Sequence, residues 1–215
     1  MRMLKSVLPV IIILLFVFGC SAGANTKAEK IQQNDTTMNT NDSVVFGSGC
    51  FWCSEAVFNR LNGVVSATPG YMGGRLKNPS YEQVCSGATG HAEVVKVLFD
   101  STLISLDDLL YVFFATHDPT TLNRQGADVG TQYRSVIFCS SEIQKKTAED
   151  FISKLNSEKK FADPVVTEVA AASDFYQAED YHMDYYKRNP NASYCRFVID
   201  PKIDKLKKSF GEKLK

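Results

Sequence analysis

The sequence lacks three features that would place it in common functional classes. It has no net charge, because 24 Lys and Arg residues balance 24 Asp and Glu residues, so the basic excess typical of nucleic-acid binding is missing. It has three histidines, none at metal-ligand spacing, and a single Cys-x-x-Cys pair, whereas a structural zinc site needs two ligand pairs. It contains no internal repeat. We therefore expect neither a nucleic-acid partner nor a metal ion.

The six cysteines also lack an arrangement that would pair them all. One lies in the N-terminal segment, and the other five are an odd number, so a fully paired disulfide framework is excluded. Cys139 follows an apolar stretch that predicts a buried strand, and Cys85 ends a short helical segment, so both are interpreted as structural. The candidates for redox chemistry are Cys50, Cys53 and Cys195.

The N-terminal segment has the features of an export signal. Two basic residues precede residues 7–18, which are almost wholly apolar but too short to span a bilayer comfortably. The run ends in Val17-Phe18-Gly19-Cys20, which is similar to a bacterial lipobox. We interpret residues 1–19 as a lipoprotein-type signal peptide and Cys20 as the lipidated residue, which predicts an exported protein anchored to a bacterial membrane. An ordinary cleaved signal, with Cys20 incidental, is the alternative.

Two segments follow the anchor. Residues 20–43 are rich in Ser, Asn, Thr, Gln, Lys and Asp and have almost no large apolar residue, so they are predicted to be a flexible tether. Residues 44–215 are long enough for one domain with a sizeable core.

The stretch Gly49-Cys50-Phe51-Trp52-Cys53 is the strongest local signal. It follows the apolar residues 44–46 and precedes a helical pattern, so Cys50 is predicted to lie where a strand ends and a helix begins. The positive end of a helix dipole favours a thiolate, which is the nucleophilic form of cysteine. Phe51 and Trp52 beside the sulfur suggest the wall of a small apolar pocket. The alternative is a buried cysteine at the start of a core helix.

Two further segments carry candidate polar groups. The alternation in Gly90–Phe99 predicts a strand with Glu93, Val95 and Val97 on one face. If that face is buried, the Glu93 carboxyl has a raised pKa and can act as an acid, whereas the opposite orientation leaves it in solvent, and the pattern leaves both open. The polar loop Asn123–Tyr133 is predicted to be functional, with Asp128 and Tyr133 orienting groups or a water, unless it is a simple turn.

Helical patterns are predicted over Ser105–His117, Ser141–Ser157, Ala178–Arg188 and Lys202–Phe210, and Arg196–Ile199 is predicted to be extended.

Several of these segments together resemble the peptide methionine sulfoxide reductases of the A class. The similar motifs occur in the family's order and extend from about residue 44 to residue 202. They are Gly49–Trp52, Tyr71 with Gly73-Gly74, Pro79–Tyr81, Gly90–Glu93, Gly126–Ser135 and Ala178–His182. The resemblance implies an α+β fold, namely a single compact α/β sandwich with a mixed sheet flanked by helices.

The resemblance also implies an activity and a role for each site residue. The activity is reduction of methionine S-sulfoxide, free or in proteins, with no cofactor and with recycling by a thioredoxin-like reductant. Cys50 is implied as the nucleophile, Glu93 as the acid with the hydroxyls of Tyr81 and Tyr133, and Asp128 as their support. Phe51 and Trp52 are implied to hold the S-methyl group of the substrate.

Two points depart from the family pattern and concern the second thiol. Cys53 stands where the family often has glycine, and the family's glycine-rich tail with a further cysteine is absent after Cys195. Because Cys195 follows the Pro-containing loop 189–194, and because the family tends to place its resolving cysteine in this region, Cys195 is favoured over Cys53. A thioredoxin-like thiol–disulfide oxidoreductase is the alternative function, but it leaves Glu93 and Asp128 without a role.

Overall fold

The computed structural model describes residues 41–215, which contain a mixed six-stranded sheet. The strands are β1 (Asn41–Ser48), β2 (Val64–Met72), β3 (Ala92–Asp100), β4 (Arg124–Gln125), β5 (Asp128–Val129), β6 (Ser135–Cys139), β7 (Glu168–Ala171) and β8 (Tyr176–Gln177). The main sheet has the order β7-β6-β1-β3-β2-β8, and β4 pairs only with β5. All neighbours in the main sheet are antiparallel except β6 and β7, which are parallel. The mixed sheet that the resemblance implied is confirmed.

Strand β1 begins earlier than the sequence indicated. Asn41 already pairs with Asp100 of β3, so residues 41–43 belong to the sheet and not to the predicted tether. Their partners in β3 satisfy backbone groups that a tether would leave to water. The predicted signal peptide, Cys20 and the rest of the tether lie outside the described residues.

The helices pack against one face of the sheet. They are α1 (Phe51–Phe58), α2 (Tyr81–Cys85), α3 (Leu106–Thr116), α4 (Glu142–Ser157), α5 (Tyr185–Arg188) and α6 (Asp200–Phe210). The predicted helices at Ser105–His117 and Ser141–Ser157 are confirmed, and in each the serine side chain accepts a backbone N–H from the first turn. Among residues 41–215, no helix is long and apolar enough to cross a membrane.

The core lies between these helices and the sheet. Phe46 of β1 stacks on Phe58 of α1 and Phe113 of α3, with ring centroids 5.0 and 4.9 Å apart. Burying each such ring contributes about 1.5–3 kcal/mol, so α1 is held tightly on the sheet. Val95 and Val97 belong to this core, whereas Val94 faces a smaller apolar cluster on the other side of the sheet. The helix that follows Cys50 therefore sits on a rigid base.

The predicted continuous helix over Ala178–Arg188 is wrong. A 3₁₀ turn spans Asp180–His182, and the short helix α5 begins only at Tyr185. Between them Asp184 adopts a left-handed backbone (φ 50°), and its N–H donates to the buried Glu55 carboxylate at 2.7 Å. This tertiary contact outweighs the local helical pattern.

The prediction of an extended segment at Arg196–Ile199 is also wrong. Residues Cys195–Ile199 form a π-helical turn that leads into α6, with Cys195 and Ile199 buried and Phe197 exposed. Periodicity alone does not separate a strand from a helix in so short an apolar run.

Candidate active site

Cys50 lies at the junction that the sequence predicted. Strand β1 ends at Ser48, Cys50 is the N-cap residue of α1, and only 8% of its surface is exposed. Gly49 makes the tight turn possible, because its φ is +88° and a Cβ there would lie 2.6 Å from the Gln125 side chain. The thiol is thus held at the N-terminal end of a core helix by the turn before it.

Glu93 occupies the inward-facing position that the sequence left open. Its side chain is 1% exposed, and Oε2 accepts a hydrogen bond from the backbone N–H of Phe51 at 3.2 Å. Burial raises the pKa of this carboxyl to about 8, against the opposing effect of the Phe51 N–H. A carboxylic acid that keeps its proton at neutral pH therefore lies directly beside the first turn of α1.

The two thiols of the Cys-x-x-Cys pair have opposite pKa shifts. Burial raises the pKa of Cys50 well above its usual value, and contacts with Cys53 and Glu93 add to the effect. A hydrogen bond from the Cys50 thiol lowers the pKa of Cys53 to about 7, with help from Lys202. Desolvation opposes the acidification of Cys50 that its position at the start of a helix predicts. The lowered pKa of the pair is that of Cys53.

Tyr81 and Tyr133 lie close enough to Glu93 for its carboxyl to affect the pKa of both phenols. Burial, followed by smaller contributions that include the Glu93 charge, raises the pKa of both phenols, so both remain hydrogen-bond donors at any physiological pH. Tyr81 begins α2, and a contact between its hydroxyl and the Cys85 thiol also raises the phenol's pKa. Cys85 therefore touches a site residue, although the sequence assigned it a purely structural role.

Asp128 forms a hydrogen bond with Tyr194, which the sequence analysis did not identify as a site residue. It accepts a hydrogen bond from the Tyr194 hydroxyl at 2.7 Å, and the same hydroxyl oxygen lies 4.0 Å from Cys53 Sγ. The β4–β5 hairpin, which holds Asp128, is thereby linked to the thiol pair. The orienting role proposed for Asp128 is therefore supported by a hydrogen bond to Tyr194, whose hydroxyl lies near the thiol pair.

Cys195 lies next to Tyr194 but away from solvent. It is 0% exposed and belongs to the main apolar core. Its pKa is raised by burial, then by Asp200 and by Cys53. The pKa of Cys50, by contrast, is affected by Cys53, Glu93 and Tyr194. Of the two candidate partners for Cys50, Cys53 is the one that the structure brings into contact with it.

Aromatic side chains enclose the space beside these polar groups. Phe51 is buried, with Tyr81 stacked 6.4 Å away between ring centroids, and Trp52 is half-buried. Tyr185 stacks on Trp52 at 3.6 Å with the two rings nearly parallel. The two aromatics chosen from the sequence therefore lie in one apolar wall, and Tyr185 extends it.

Comparison with known proteins shows what this chain is similar to. A sequence model of the family described as "Peptide methionine sulfoxide reductase" matches residues 42–214. The chain belongs to this family. Its match begins within β1 and ends four residues after α6, so it covers all but the first and the last of the described residues.

Curated members of the family and two solved structures agree with this assignment. The peptide methionine sulfoxide reductase MsrA of Trichodesmium erythraeum is 55% identical over 80% of this chain and 98% of its own length. MsrA of Deinococcus radiodurans is 54% identical over 81% and 84%. Reduced Mxr1 from Saccharomyces cerevisiae has a TM-score of 0.66 at 33% identity, covering 72% of this chain and 89% of that chain. Methionine sulfoxide reductase A of Corynebacterium diphtheriae has a TM-score of 0.64 at 33% identity, covering 73% and 78%.

Sequence reasoning missed several residues of this reductase site. Tyr194 was noted only as the neighbour of Cys195, and His182 and Glu179 were given no role. Trp52 donates to His182, and Glu179 accepts from Tyr81. The one sequence signal for them was their position in or beside segments that resemble the family, since their partners lie 66 to 130 residues away.

Proposed function

We propose that this chain reduces methionine S-sulfoxide, free or in proteins, through a sulfenic acid on Cys50. One observation carries the proposal: the neutral, buried carboxyl of Glu93 lies at the first turn of the helix that Cys50 caps. Sulfoxide oxygen is a poor leaving group unless it is protonated, so the reaction needs a nucleophilic sulfur and an acid in one desolvated site. Reductases of this type act on one sulfoxide epimer each.

In the first step the Cys50 sulfur attacks the sulfoxide sulfur. The Cys53 thiolate accepts the Cys50 proton through the hydrogen bond between the two thiols. Glu93 delivers a proton to the sulfoxide oxygen, and the phenols of Tyr81 and Tyr133 stabilise that oxygen by donating hydrogen bonds. The oxygen transfers to Cys50, which becomes a sulfenic acid, and methionine leaves. Glu93 regains its proton from solvent.

In the second step we assign Cys53 as the resolving thiol, in place of Cys195. The Cys53 sulfur attacks Cys50 Sγ, the sulfenic hydroxyl leaves with a proton as water, and a Cys50–Cys53 disulfide forms. The contact between the two thiols supports this order, as does the low pKa of Cys53, which keeps a large thiolate fraction at neutral pH.

A dithiol of the thioredoxin type would then reduce the disulfide by thiol exchange. Such a donor returns both cysteines to thiols and is itself oxidised, so electrons balance without a metal or an organic cofactor. Phe51 and Trp52 would hold the S-methyl group of the substrate in the aromatic wall, where an apolar methyl is favoured over water.

The test compares three substrates. We expect purified domain 41–215 to reduce free methionine S-sulfoxide with dithiothreitol, to leave the R epimer unreduced, and to reduce insulin disulfides poorly. Cys50→Ser should abolish sulfoxide reduction, whereas Cys139→Ser, a buried cysteine in β6, should retain it. Insulin reduction without sulfoxide reduction would instead support the thioredoxin-like alternative, which accounts for Cys50 and Cys53 alone.

For the cellular location we propose a lipid anchor at Cys20. The support is the sequence Val17-Phe18-Gly19-Cys20 after an apolar run, followed by a polar segment that separates the lipid from the domain. The enzyme would then act on the outer side of a bacterial cytoplasmic membrane or at the outer membrane.

A further inference from the structure

The indole of Trp52 is held on two sides. Its Nε1–H donates to His182 Nδ1 at 3.0 Å. One face of the indole is covered by Tyr185, at 3.6 Å between centroids and 5° between planes. The edge of Tyr194 approaches at 5.8 Å. Stacking by Tyr185 restricts the plane of the indole, and the directional hydrogen bond to His182 restricts its rotation within that plane.

The second ring nitrogen of His182 determines whether that hydrogen bond forms. Because Nδ1 accepts, the proton of the neutral ring must lie on Nε2. Nε2 is buried with no hydrogen-bond partner among the described residues, and Glu179 Oε2 lies 3.9 Å from it. A carboxylate at that distance favours the Nε2–H tautomer electrostatically without holding the ring rigidly.

Glu179 is itself held in place by two hydrogen bonds. Its carboxylate accepts the Tyr71 hydroxyl at 2.7 Å and the backbone N–H of Tyr81 at 2.8 Å. Partial burial opposes its ionisation, but these hydrogen bonds outweigh burial and lower its pKa. The same carboxylate therefore positions Tyr81, a proposed donor to the sulfoxide oxygen, and orients His182.

We propose that His182 is a positioning residue that sets the Trp52 indole for substrate binding, with Glu179 selecting the tautomer that makes this possible. The inference rests on the proposed function, in which Trp52 holds the methyl group of the sulfoxide. His182 acts through Trp52 and makes no chemical step of its own.

Protonation of His182 breaks the arrangement. An imidazolium has two donors and no acceptor, so it cannot receive the indole N–H. Burial among Phe51, Trp52 and Tyr81, none of them charged, lowers the pKa of His182 below its usual value. The charged groups that face it are the carboxylates of Glu179 and Glu82, and they only partly oppose this effect. The hydrogen bond is therefore intact at neutral pH and lost in acid.

Two substitutions at His182 distinguish a role in positioning Trp52 from a role in filling space. In His182→Asn the side-chain oxygen can reach the place of Nδ1 and accept the indole N–H, but nothing replaces Nε2. In His182→Gln the longer side chain places its polar atoms near Nε2 and leaves the indole without an acceptor. Both variants remove the ring and the charge, so a structural role alone predicts similar defects.

The first measurement is tryptophan fluorescence, because Trp52 is the only tryptophan in the chain. In the wild type we expect an emission change with an apparent pKa below 6.5, the ordinary value for histidine. The change should be absent in both variants. The neutral-pH spectrum of His182→Asn should resemble that of the wild type, and that of His182→Gln should resemble the acid form of the wild type. This readout needs no turnover, so it stands even if the proposed activity fails.

The second measurement is steady-state kinetics with methionine sulfoxide. His182→Gln should raise KM roughly 2- to 12-fold, the effect of one hydrogen bond on an equilibrium, with a smaller change in kcat, and His182→Asn should restore most of the loss. In the Trp52→Phe background, which has no indole N–H, Asn and Gln at position 182 should give equal KM values. Persistence of the fluorescence transition in both variants, or equal KM values for Asn and Gln with Trp52 present, would overturn the proposal.

Discussion

Glu93 accepts a hydrogen bond from the backbone N–H of Phe51 at 3.2 Å, so the proposed acid is attached to the first turn of the helix that carries the nucleophile. The N–H stabilises a carboxylate, yet burial raises the pKa to about 8, so desolvation is the larger effect. The acid is thus both oriented by the helix and kept protonated by its surroundings.

Replacing Glu93 by glutamine should slow the first turnover strongly. The amide keeps the shape of the side chain but has no acidic proton, and general acid catalysis contributes typically about 10²–10⁴-fold. The measurement is a single-turnover rate of methionine formation, with alkylation of Cys50 as a check that the thiol remains accessible. Glu149→Gln, on the exposed face of α4, is the matched control. A rate for Glu93→Gln within a few-fold of wild type would assign the acid elsewhere.

The same carboxyl should make stability depend on pH in a defined direction. Its pKa is about 8 in the folded protein and close to 4.5 when the chain is unfolded. Between these values the folded state binds more protons, so the free energy of unfolding contributed by Glu93 falls as the pH rises from about 4.5 to about 8. Urea unfolding of wild type and Glu93→Gln across this range should reveal a stability difference that changes with pH. A constant difference would contradict the burial argument.

Oxidation with one equivalent of methionine sulfoxide should produce a disulfide between Cys50 and Cys53. The pKa of each thiol is shifted by a hydrogen bond with the other, which places the two sulfurs close together. Peptide mass mapping identifies the pair, and turnover with thioredoxin should be lost in Cys53→Ser and retained in Cys195→Ser. A Cys50–Cys195 peptide pair, together with full recycling by Cys53→Ser, would restore the interpretation that the sequence favoured.

Tyr194→Phe should slow formation of the disulfide, and it should also slow the first oxygen transfer, in which the Cys53 thiolate accepts the Cys50 proton. The Tyr194 hydroxyl lowers the pKa of Cys53, so its removal should raise that pKa and reduce the thiolate fraction at neutral pH. The observable is a longer-lived sulfenic acid, trapped with dimedone, and a disulfide-forming step whose pH midpoint shifts upward. Tyr176→Phe serves as control, because the Tyr176 hydroxyl donates a hydrogen bond to the exposed Asp174. Equal sulfenic acid lifetimes in the two variants would remove Tyr194 from the second step.

Cys20→Ala should change how the protein is processed in the cell. If Cys20 carries lipid, the variant accumulates as an uncleaved precursor or leaves the membrane fraction, because the acyl chains supply the anchor. Fractionation and the intact mass of the mature protein report this. An unchanged mass and distribution would indicate an ordinary cleaved signal instead.

Several features were predictable because they depend on local pattern. Cys50 lies between a strand and a helix, as the change of periodicity after Gly49 indicated. The capped helices that begin after Ser105 and Ser141 follow from serine side chains that accept nearby backbone N–H groups. The family itself could be inferred from short motifs in a fixed order, and the comparison confirmed it.

Other features depended on contacts between distant parts of the chain. Alternation in β3 could not say which face packs against α1, and that packing placed Glu93 beside the first turn of the helix. The break before α5 arises because Glu55 binds the Asp184 N–H across 129 residues. Tertiary structure likewise determines the protonation of the thiols. Burial raises the pKa of Cys50, whereas the helix dipole inferred from the sequence would lower it. Desolvation depends on everything packed around a group, which no local stretch of sequence contains.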